Sequence, residues 1–465
     1  MTQPTRGAGT IRPVRASTYF FGALGGLLFG YDLGVVAGAL LFITPQLGLS
    51  HLQTGMVTSS LLVGAMIGAL GCGRITDRVG RRTVVLGAAV LFGLGAIGAA
   101  LAPNLFWILA FRLIMGLAVG TASVTVPVYL SEISPASRRG SLSGLNQLMI
   151  SSGILVAYLV NLALAPAQAW RWMFGLAAIP AVLMLIGGYF QPESPRWLIK
   201  KGREAEARAV LARSRTPEQL DAEIAEIVRI NESEQQQMRL GAMIRDPRLR
   251  RVLLIGSGLA LLQQVVGVNT VIYYAPTILK SIGFTSGAAI LANAGLGGLT
   301  VVVTIIMLTM VDRVGRRRPL ILGAIGMCAA MVLLAALFYS GGLTHGTAGW
   351  LAITGLALFK ICFSLSWGGL VWIMLGELFP LRARGTAMGV ATFFNWAGNF
   401  AVGLLFPVLL GVGTGLVFVI FAVLCLVSSG FALAFVPETK GKSLEQIERD
   451  LGHTANPATA VDLVG

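Results

Sequence analysis

Twelve long apolar stretches, each of about 20 residues, run through this 465-residue chain and constrain its fold more than any other feature. A helix rising 1.5 Å per residue needs about that length to cross a hydrocarbon layer of roughly 30 Å. In lipid only helices or closed barrels satisfy the backbone, and these runs lack the two-residue alternation of a barrel. Charged residues make up 12% of the chain, against about 25% in soluble domains, so no polar faces remain to solvate a soluble bundle. The spans fall at 17–41, 55–74, 83–102, 105–131, 141–163, 171–190, 252–275, 286–311, 319–340, 349–375, 385–411 and 414–436. Arg6, Arg12 and Arg15 before the first run imitate a signal peptide. That run is too long, holds Asp32 and offers no cleavage site, so it reads as the first span.

A net charge of +15 suggests nucleic acid until its distribution is read. Of 35 Lys and Arg residues, 31 fall in the termini and loops on one side of the spans. The opposite loops hold only Arg171 and Lys280, and Arg112 and Lys360 lie inside spans. This is the positive-inside pattern, which places both termini in the cytoplasm and accounts for the charge without nucleic acid. Cys72, Cys328, Cys362 and Cys425 all lie in apolar spans and read as small core residues.

The chain also repeats itself. Asp77-Arg78-Val79-Gly80-Arg81-Arg82 returns 235 residues later as Asp312-Arg313-Val314-Gly315-Arg316-Arg317. Glu132, Pro135, Arg139 and Gly140 return 245 residues later as Glu377, Pro380, Arg384 and Gly385, and Pro192-Glu193 returns as Pro437-Glu438. Each motif follows the corresponding span of its half. The expected organisation is therefore a tail (1–16), a six-helix bundle (17–191), a polar linker (192–248), a second six-helix bundle (249–436) and a tail (437–465). Substrate sites of such transporters lie near the midplane between the repeats. The linker reads as short amphipathic helices over 203–213 and 217–230, with Leu220, Ile224, Ile227 and Val228 on one face.

These motifs, with Pro-Glu-Ser-Pro-Arg at 192–196, Pro-Glu-Thr-Lys-Gly at 437–441 and Gln263-Gln264 ahead of Gly267, Asn269 and Tyr273-Tyr274, resemble the sugar porter family of the major facilitator superfamily. The resemblance spans roughly 17–450. It implies an all-α membrane protein of twelve transmembrane helices in two six-helix bundles with a cytoplasmic helical linker. It further implies alternating-access transport of a monosaccharide, by proton symport or by passive uniport, or of a polyol such as inositol. The bacterial proton-coupled type in the inner (plasma) membrane fits best, as a monomer with sugar and proton as its partners and no cofactor.

A neutral, hydroxyl-rich cargo needs amides that donate and accept, plus an aromatic face for its C–H surface. Gln263, Gln264 and Asn269 in span seven supply amides, and buried amides in lipid are either functional or interhelical glue. Helical spacing puts Gln263, Gly267, Thr270 and Tyr274 on one face, so a break near Gly267 is needed to re-aim Asn269. The resemblance adds Gln147, Trp372, Asn395 and Phe363 as sugar ligands. Span ten reads Gly368-Gly369-Leu370-Val371-Trp372 where the family usually has Gly-Pro-x-x-Trp, which leaves the hinge to the glycine pair. Thr300 stands where several relatives have asparagine.

Asp32 and Arg112 are each the only charge of their sign in the first and fourth spans, and an isolated charge there costs about 2.5–3.5 kcal/mol on insertion scales. A carboxylate facing an arginine stays ionised, and one left alone in a dry site takes up a proton. A rocking motion that makes and breaks the pair would therefore carry a proton, and the resemblance implies that role for both residues. Lys360 fits three readings: snorkelling, facing the cavity, or competing with Arg112 for Asp32. Asp77, Arg81, Glu132, Arg139, Asp312, Arg316, Glu377 and Arg384 are expected to form a cytoplasmic gate, paired across the bundles when the cavity faces outward and separated when it faces inward. Catalysis is not expected: His51, His345 and His453 are dispersed, no metal-ligand cluster occurs, and the Gly-rich stretch 22–30 does not follow a strand.

Overall fold

The computed structural model describes residues 16–133, 139–212, 216–234, 238, 240–340, 345–380 and 383–440. The first six spans are α1 (Ala16–Gln46), α2 (His51–Val79), α3 (Arg81–Leu101), α4 (Leu105–Ile133), α5 (Arg139–Leu164) and the pair α6 (Trp170–Gly175) and α7 (Ala178–Tyr189). Four short helices follow: α8 (Pro195–Lys200), α9 (Glu204–Leu211), α10 (Pro217–Glu234) and α11 (Leu240–Arg245). The second six spans are α12 (Pro247–Val265) with α13 (Val268–Ser281), α14 (Ser286–Val314), α15 (Arg317–Ser340), α16 (His345–Leu365) with α17 (Trp367–Leu378), α18 (Arg384–Val412) and α19 (Thr414–Phe435). Among the described residues twelve helical stretches are long and apolar enough to cross a membrane.

Two six-helix bundles result. In the first, α2 packs along α4 and α1 along α5; in the second, α15 packs on α19 and α12 on α18. The bundles meet where α2 lies on α18 and α5 on α14. Lipid does not drive helices together, so close backbone approach at small residues has to. At Gly116 on α4 an added Cβ would sit 2.0 Å from the Leu61 carbonyl oxygen of α2. Gly116→Ala should therefore force the two helices apart and cost about 1–3 kcal/mol by overpacking. A lowered melting temperature of the purified variant checks this, with Gly71→Ala as control, since nothing lies within 4 Å of that position.

The helices outrun the apolar stretches. α2 continues to Val79 and α14 to Val314, because charged residues extend a helix into water until Gly80 (φ +96°) and Gly315 (φ +89°) turn it. Three spans are interrupted. The seventh breaks at Gly267, whose φ of +95° is the left-handed region that glycine alone enters freely. The sixth is interrupted between Gly175 and Ala178, within a stretch expected to be continuous.

The tenth breaks at Ser366 (φ −130°, ψ −89°), not at the glycine pair, and Gly368 and Gly369 are helical within α17. Neighbours fix that position. Ser366 Oγ donates to the Cys362 carbonyl, the Trp367 indole donates to the Leu320 carbonyl at 2.8 Å, and Gly323 leaves room for Ser366.

The loops that carry the repeated motifs and the linker share one end of the bundles, here the basic end. At the opposite, far end the halves are closed. Thr58 and Tyr274 share a 2.8 Å hydrogen bond, the Tyr158 hydroxyl donates to the Ile272 carbonyl at 3.0 Å, and Gly55 lies against the Leu404 carbonyl. In the linker, Pro195 at the first turn and Ser194 as N-cap start α8, and two small cores form around Trp197, Leu198 and Ala207 and around Leu211, Ile224 and Ile227. Leu220 flanks the second core, whereas Val228 is exposed, which corrects its placement on the buried face.

Candidate functional site

The break at Gly267 folds the start of α13 back on the end of α12. Asn269 Nδ2 donates to Gln264 Oε1, so the two amides meet as the re-aiming argument requires. On α18, Gly398 allows the Gln264 side chain within 3.2 Å of where a Cβ would stand, and Asn395 lies one turn away on the same face. Gln264 Nε2 donates to Asn395 Oδ1 at 3.1 Å and to Gln263 Oε1 at 3.3 Å. Asn395 Nδ2 donates to Gln263 Oε1 at 2.7 Å and to the Ala260 carbonyl at 2.9 Å. Gln263 Nε2 donates to the carbonyls of Trp367 (2.7 Å) and Gly368 (3.2 Å), latching α12 onto the start of α17.

The four amides thus form one network, but with unequal freedom. Both N–H groups of Gln263 are spent on backbone and its oxygen accepts twice, so it positions its neighbours. Gln264 has no backbone partner among these bonds and is the amide freest to exchange partners for a ligand. Trp372, on α17, is 36% exposed, while Asn269 and Asn395 are 5% exposed. Phe363 is half-buried and stacks on Phe359, with centroids 6.4 Å apart. Gln147 is half-buried on α5, one turn before Ser151, which shares a 3.1 Å hydrogen bond with Thr304 of α14 across the bundles. Tyr274 is not brought to the network. Its hydroxyl is occupied by Thr58 and the Gly403 carbonyl (3.1 Å), which makes it part of the far-end closure.

Asp32 and Arg112 are both 1% exposed, and Arg112 Nη1 stands 3.4 Å from Asp32 Oδ1. The pair is under-satisfied on the acid side: Asp32 Oδ2 is buried without a hydrogen-bond partner. Arg112 is held independently, donating from Nε to the Val57 carbonyl at 2.6 Å and lying 5.5 Å from the Phe174 ring centroid. A buried pair is stable only with good geometry and further hydrogen bonds, and this one has few. One turn before Asp32, Phe29 packs edge-on against Trp396, the neighbour of Asn395, at 5.5 Å. The charge pair and the amide network therefore share a packing contact between the halves.

Lys360 does not pair with Asp32. It is 5% exposed, and its Nζ has no hydrogen-bond partner and lies 5.2 Å from the Tyr158 ring centroid. A cation–π contact contributes about 0.5–2 kcal/mol, less than the roughly 2.5–3.5 kcal/mol cost of a lysine at mid-membrane depth. That contact alone does not offset the cost of a charge there.

At the basic end the repeated motifs build the same device twice. Arg81 donates to Glu132 at 3.0 Å and Ser194 caps Glu132; Arg316 pairs with Glu377 at 3.3 Å and Thr439 caps Glu377. Glu193 accepts the backbone N–H groups of Arg81 (2.9 Å) and Arg82 (3.0 Å), and Glu438 accepts those of Arg316 (2.9 Å) and Arg317 (3.1 Å). A carboxylate at a helix start meets orphan N–H groups and the positive end of the dipole. Burial pushes the Glu438 carboxyl up, but the backbone donors of Arg316, Lys440, Arg317 and Thr439 outweigh it and hold it below the usual carboxylate range. Its stabilisation is present at neutral pH and lost as the pH falls through that lowered value.

Asp77 pairs with Arg81 at 3.5 Å and with Lys200 of α8 at 3.2 Å, tying the linker to the first bundle. Arg384 Nε donates to the Phe379 carbonyl at 3.2 Å. The side chains of Arg139 and Asp312 lie outside those described. The pairs Arg81–Glu132, Asp77–Arg81 and Arg316–Glu377 each lie within one half in this far-end-closed state. Glu193, Glu438, Ser194 and Thr439 were not anticipated as site residues. Their signal was the Pro-Glu repeat next to helix starts whose preceding glycines carry no capping side chain.

The family model described as "Sugar (and other) transporter" matches residues 18–451. The chain belongs to the sugar porters of the major facilitator superfamily. The glucose transporter GlcP of Staphylococcus epidermidis is 44% identical over 434 residues, covering 93% of this chain and 96% of GlcP. The galactose-proton symporter of Escherichia coli is 39% identical over 447 residues, covering 95% of this chain and 96% of that protein. Among solved structures, the partially occluded inward-open form of the xylose transporter XylE from Escherichia coli superposes with a TM-score of 0.81 at 31% identity, covering 92% of this chain and 99% of XylE. This sugar porter is a multi-pass membrane transporter and not an enzyme. The fold expected from the apolar runs and repeats is the fold found.

Proposed function

We propose that this sugar porter is a proton-driven monosaccharide symporter of the plasma membrane, with both termini in the cytoplasm. The observation that carries the reading is the dry Asp32–Arg112 pair, with one carboxylate oxygen unsatisfied and its arginine held by other partners. A buried carboxylate that parts from its arginine takes up a proton. Phe29 against Trp396 couples that event to the amide network, where Gln264, Asn269 and Asn395 meet sugar hydroxyls and Trp372 and Phe363 offer aromatic faces. The sequence relationship to a galactose-proton symporter and a glucose transporter agrees with both the proton and the sugar.

With 31 of 35 basic residues at the basic end, that end is cytoplasmic and the closed end external. The structure then corresponds to the inward-facing state, in which the gate charges are expected apart from the opposite bundle. Arg81 on Glu132 and Arg316 on Glu377 wait within their own halves until the basic end closes. The test is uptake of glucose, galactose, xylose and myo-inositol into vesicles with an imposed inward proton gradient. At least one monosaccharide should accumulate above its external concentration, and a protonophore should abolish the excess. Entry that only equilibrates, with or without the gradient, would establish passive uniport instead.

A further inference from the structure

Lys360 is a buried amine at the interface between the bundles, without a hydrogen-bond or ion-pair partner, and neither the Asp32–Arg112 pair nor the amide network uses it. Its neighbours set it between the far-end closure and the elements that carry the amide network. On α16 it stands three residues, one turn, before Phe363, and that helix leads into the break at Ser366, just beyond which Gln263 is latched to the Trp367 and Gly368 carbonyls. The Tyr158 ring beside its Nζ belongs to a side chain whose hydroxyl bonds the Ile272 carbonyl in the far-end closure, one turn beyond Asn269 on α13. Among the described residues no carboxylate lies within ion-pair distance of Lys360. Burial does not set it apart from the site, because Asn269 and Asn395 are buried to the same 5%. Thr270, next to Asn269, is a second buried donor whose Oγ1 has no partner.

We propose that Lys360 is an anion subsite, and that the preferred cargo is an acidic monosaccharide, a hexuronate or aldonate whose carboxylate meets the ammonium while its hydroxyls meet the amide network. This rests on the monosaccharide reading above and narrows it. An incoming carboxylate supplies the partner that the fold withholds, and the amides still accept a neutral sugar more weakly. A neutral hydrogen-bonding side chain would suit a neutral sugar better, since it imposes no buried charge.

The experiment titrates the purified full chain with D-glucuronate, D-galacturonate and D-gluconate and with D-glucose and D-galactose, read by tryptophan fluorescence. At least one acid should bind at least tenfold more tightly than its neutral counterpart. Lys360→Met should weaken that acid at least tenfold while neutral sugars change less than threefold, and Lys360→Arg should keep the preference. If the methionine variant does not fold, Lys360→Gln against Lys360→Arg makes the same comparison. No acid binding, or equal losses for acid and neutral sugars, overturns the subsite while leaving the symporter reading intact. Failure of every sugar, acid or neutral, to bind the wild type overturns both.

Discussion

Asp32→Asn should abolish accumulation while preserving exchange. In vesicles with an inward proton gradient the variant should fill only to the external sugar concentration, a loss of tenfold or more in accumulation ratio. Counterflow of labelled against unlabelled sugar should continue, because the amide network and the rocking of the bundles are untouched. The substitution removes the carboxylate from a pair of 3.4 Å and leaves Arg112 a buried charge. Deleting one partner of a buried pair costs about 3–5 kcal/mol, which would threaten the fold if Arg112 had no other support. Here the Val57 carbonyl at 2.6 Å and the Phe174 ring remain, and the asparagine oxygen can still accept from Arg112. The variant should therefore fold with reduced thermal stability. Wild-type uptake should rise as the outside is acidified, and the variant's rate should be flat over the same range. Accumulation that persists in Asp32→Asn would place the proton elsewhere.

What could be read from the sequence follows from the dimensionality of each feature. Hydropathy is one-dimensional, so twelve runs become twelve spans, and helices such as α2 and α14 end late only because charged turns prolong them into water. The repeats at 235 and 245 residues are also linear, and they divided the spans six and six. The break at Gly267 was legible because a single residue type marks it and because Asn269 lay off the shared face. The break at Ser366 was not, since no glycine or proline stands there; the Trp367 indole on the Leu320 carbonyl and the space left by Gly323 decide it.

The candidate site was legible as residues that converge and not as a wiring. Gln263, Gln264, Asn269 and Asn395 do converge, but no pattern in the chain says that Gln263 spends both N–H groups on the α17 backbone. Tyr274 shares a helical face with Gln263 in an unbroken helix, and the kink that delivers Asn269 carries Tyr274 to the far-end closure. The gate charges were legible as repeats, yet which charge meets which depends on helix ends in space. Arg81 finds Glu132, and Glu193 caps the helix that Arg81 begins, so these charges are engaged within their own half. Lys360 offered three readings because its neighbour, Tyr158, lies some 200 residues away in the chain and in the other bundle.

Gln264→Ala is expected to remove most sugar affinity while leaving the fold nearly untouched. In the network Gln264 touches only other amides: Gln263 at 3.3 Å, Asn395 at 3.1 Å and Asn269. Its loss frees Asn395 Oδ1 and Asn269 Nδ2 but detaches no backbone, whereas Gln263→Ala would release α17 and Asn395→Ala would release the Ala260 carbonyl. A site built to read hydroxyls loses more than one net hydrogen bond when an amide is removed, since the groups left behind are buried and unpaired at about 1–3 kcal/mol. A loss of about 2–3 kcal/mol corresponds to roughly 30- to 150-fold in Kd. Isothermal titration of the sugar identified by uptake measures that ratio, with melting temperature as the control for folding. Gln264→Asn, which keeps the amide one methylene short, should recover part of the affinity, and Gln264→Leu, which keeps the volume alone, should recover none. Equal affinity in wild type and Gln264→Ala would mean that this amide serves only as glue between α12, α13 and α18, and that the sugar sits nearer Trp372 and Gln147.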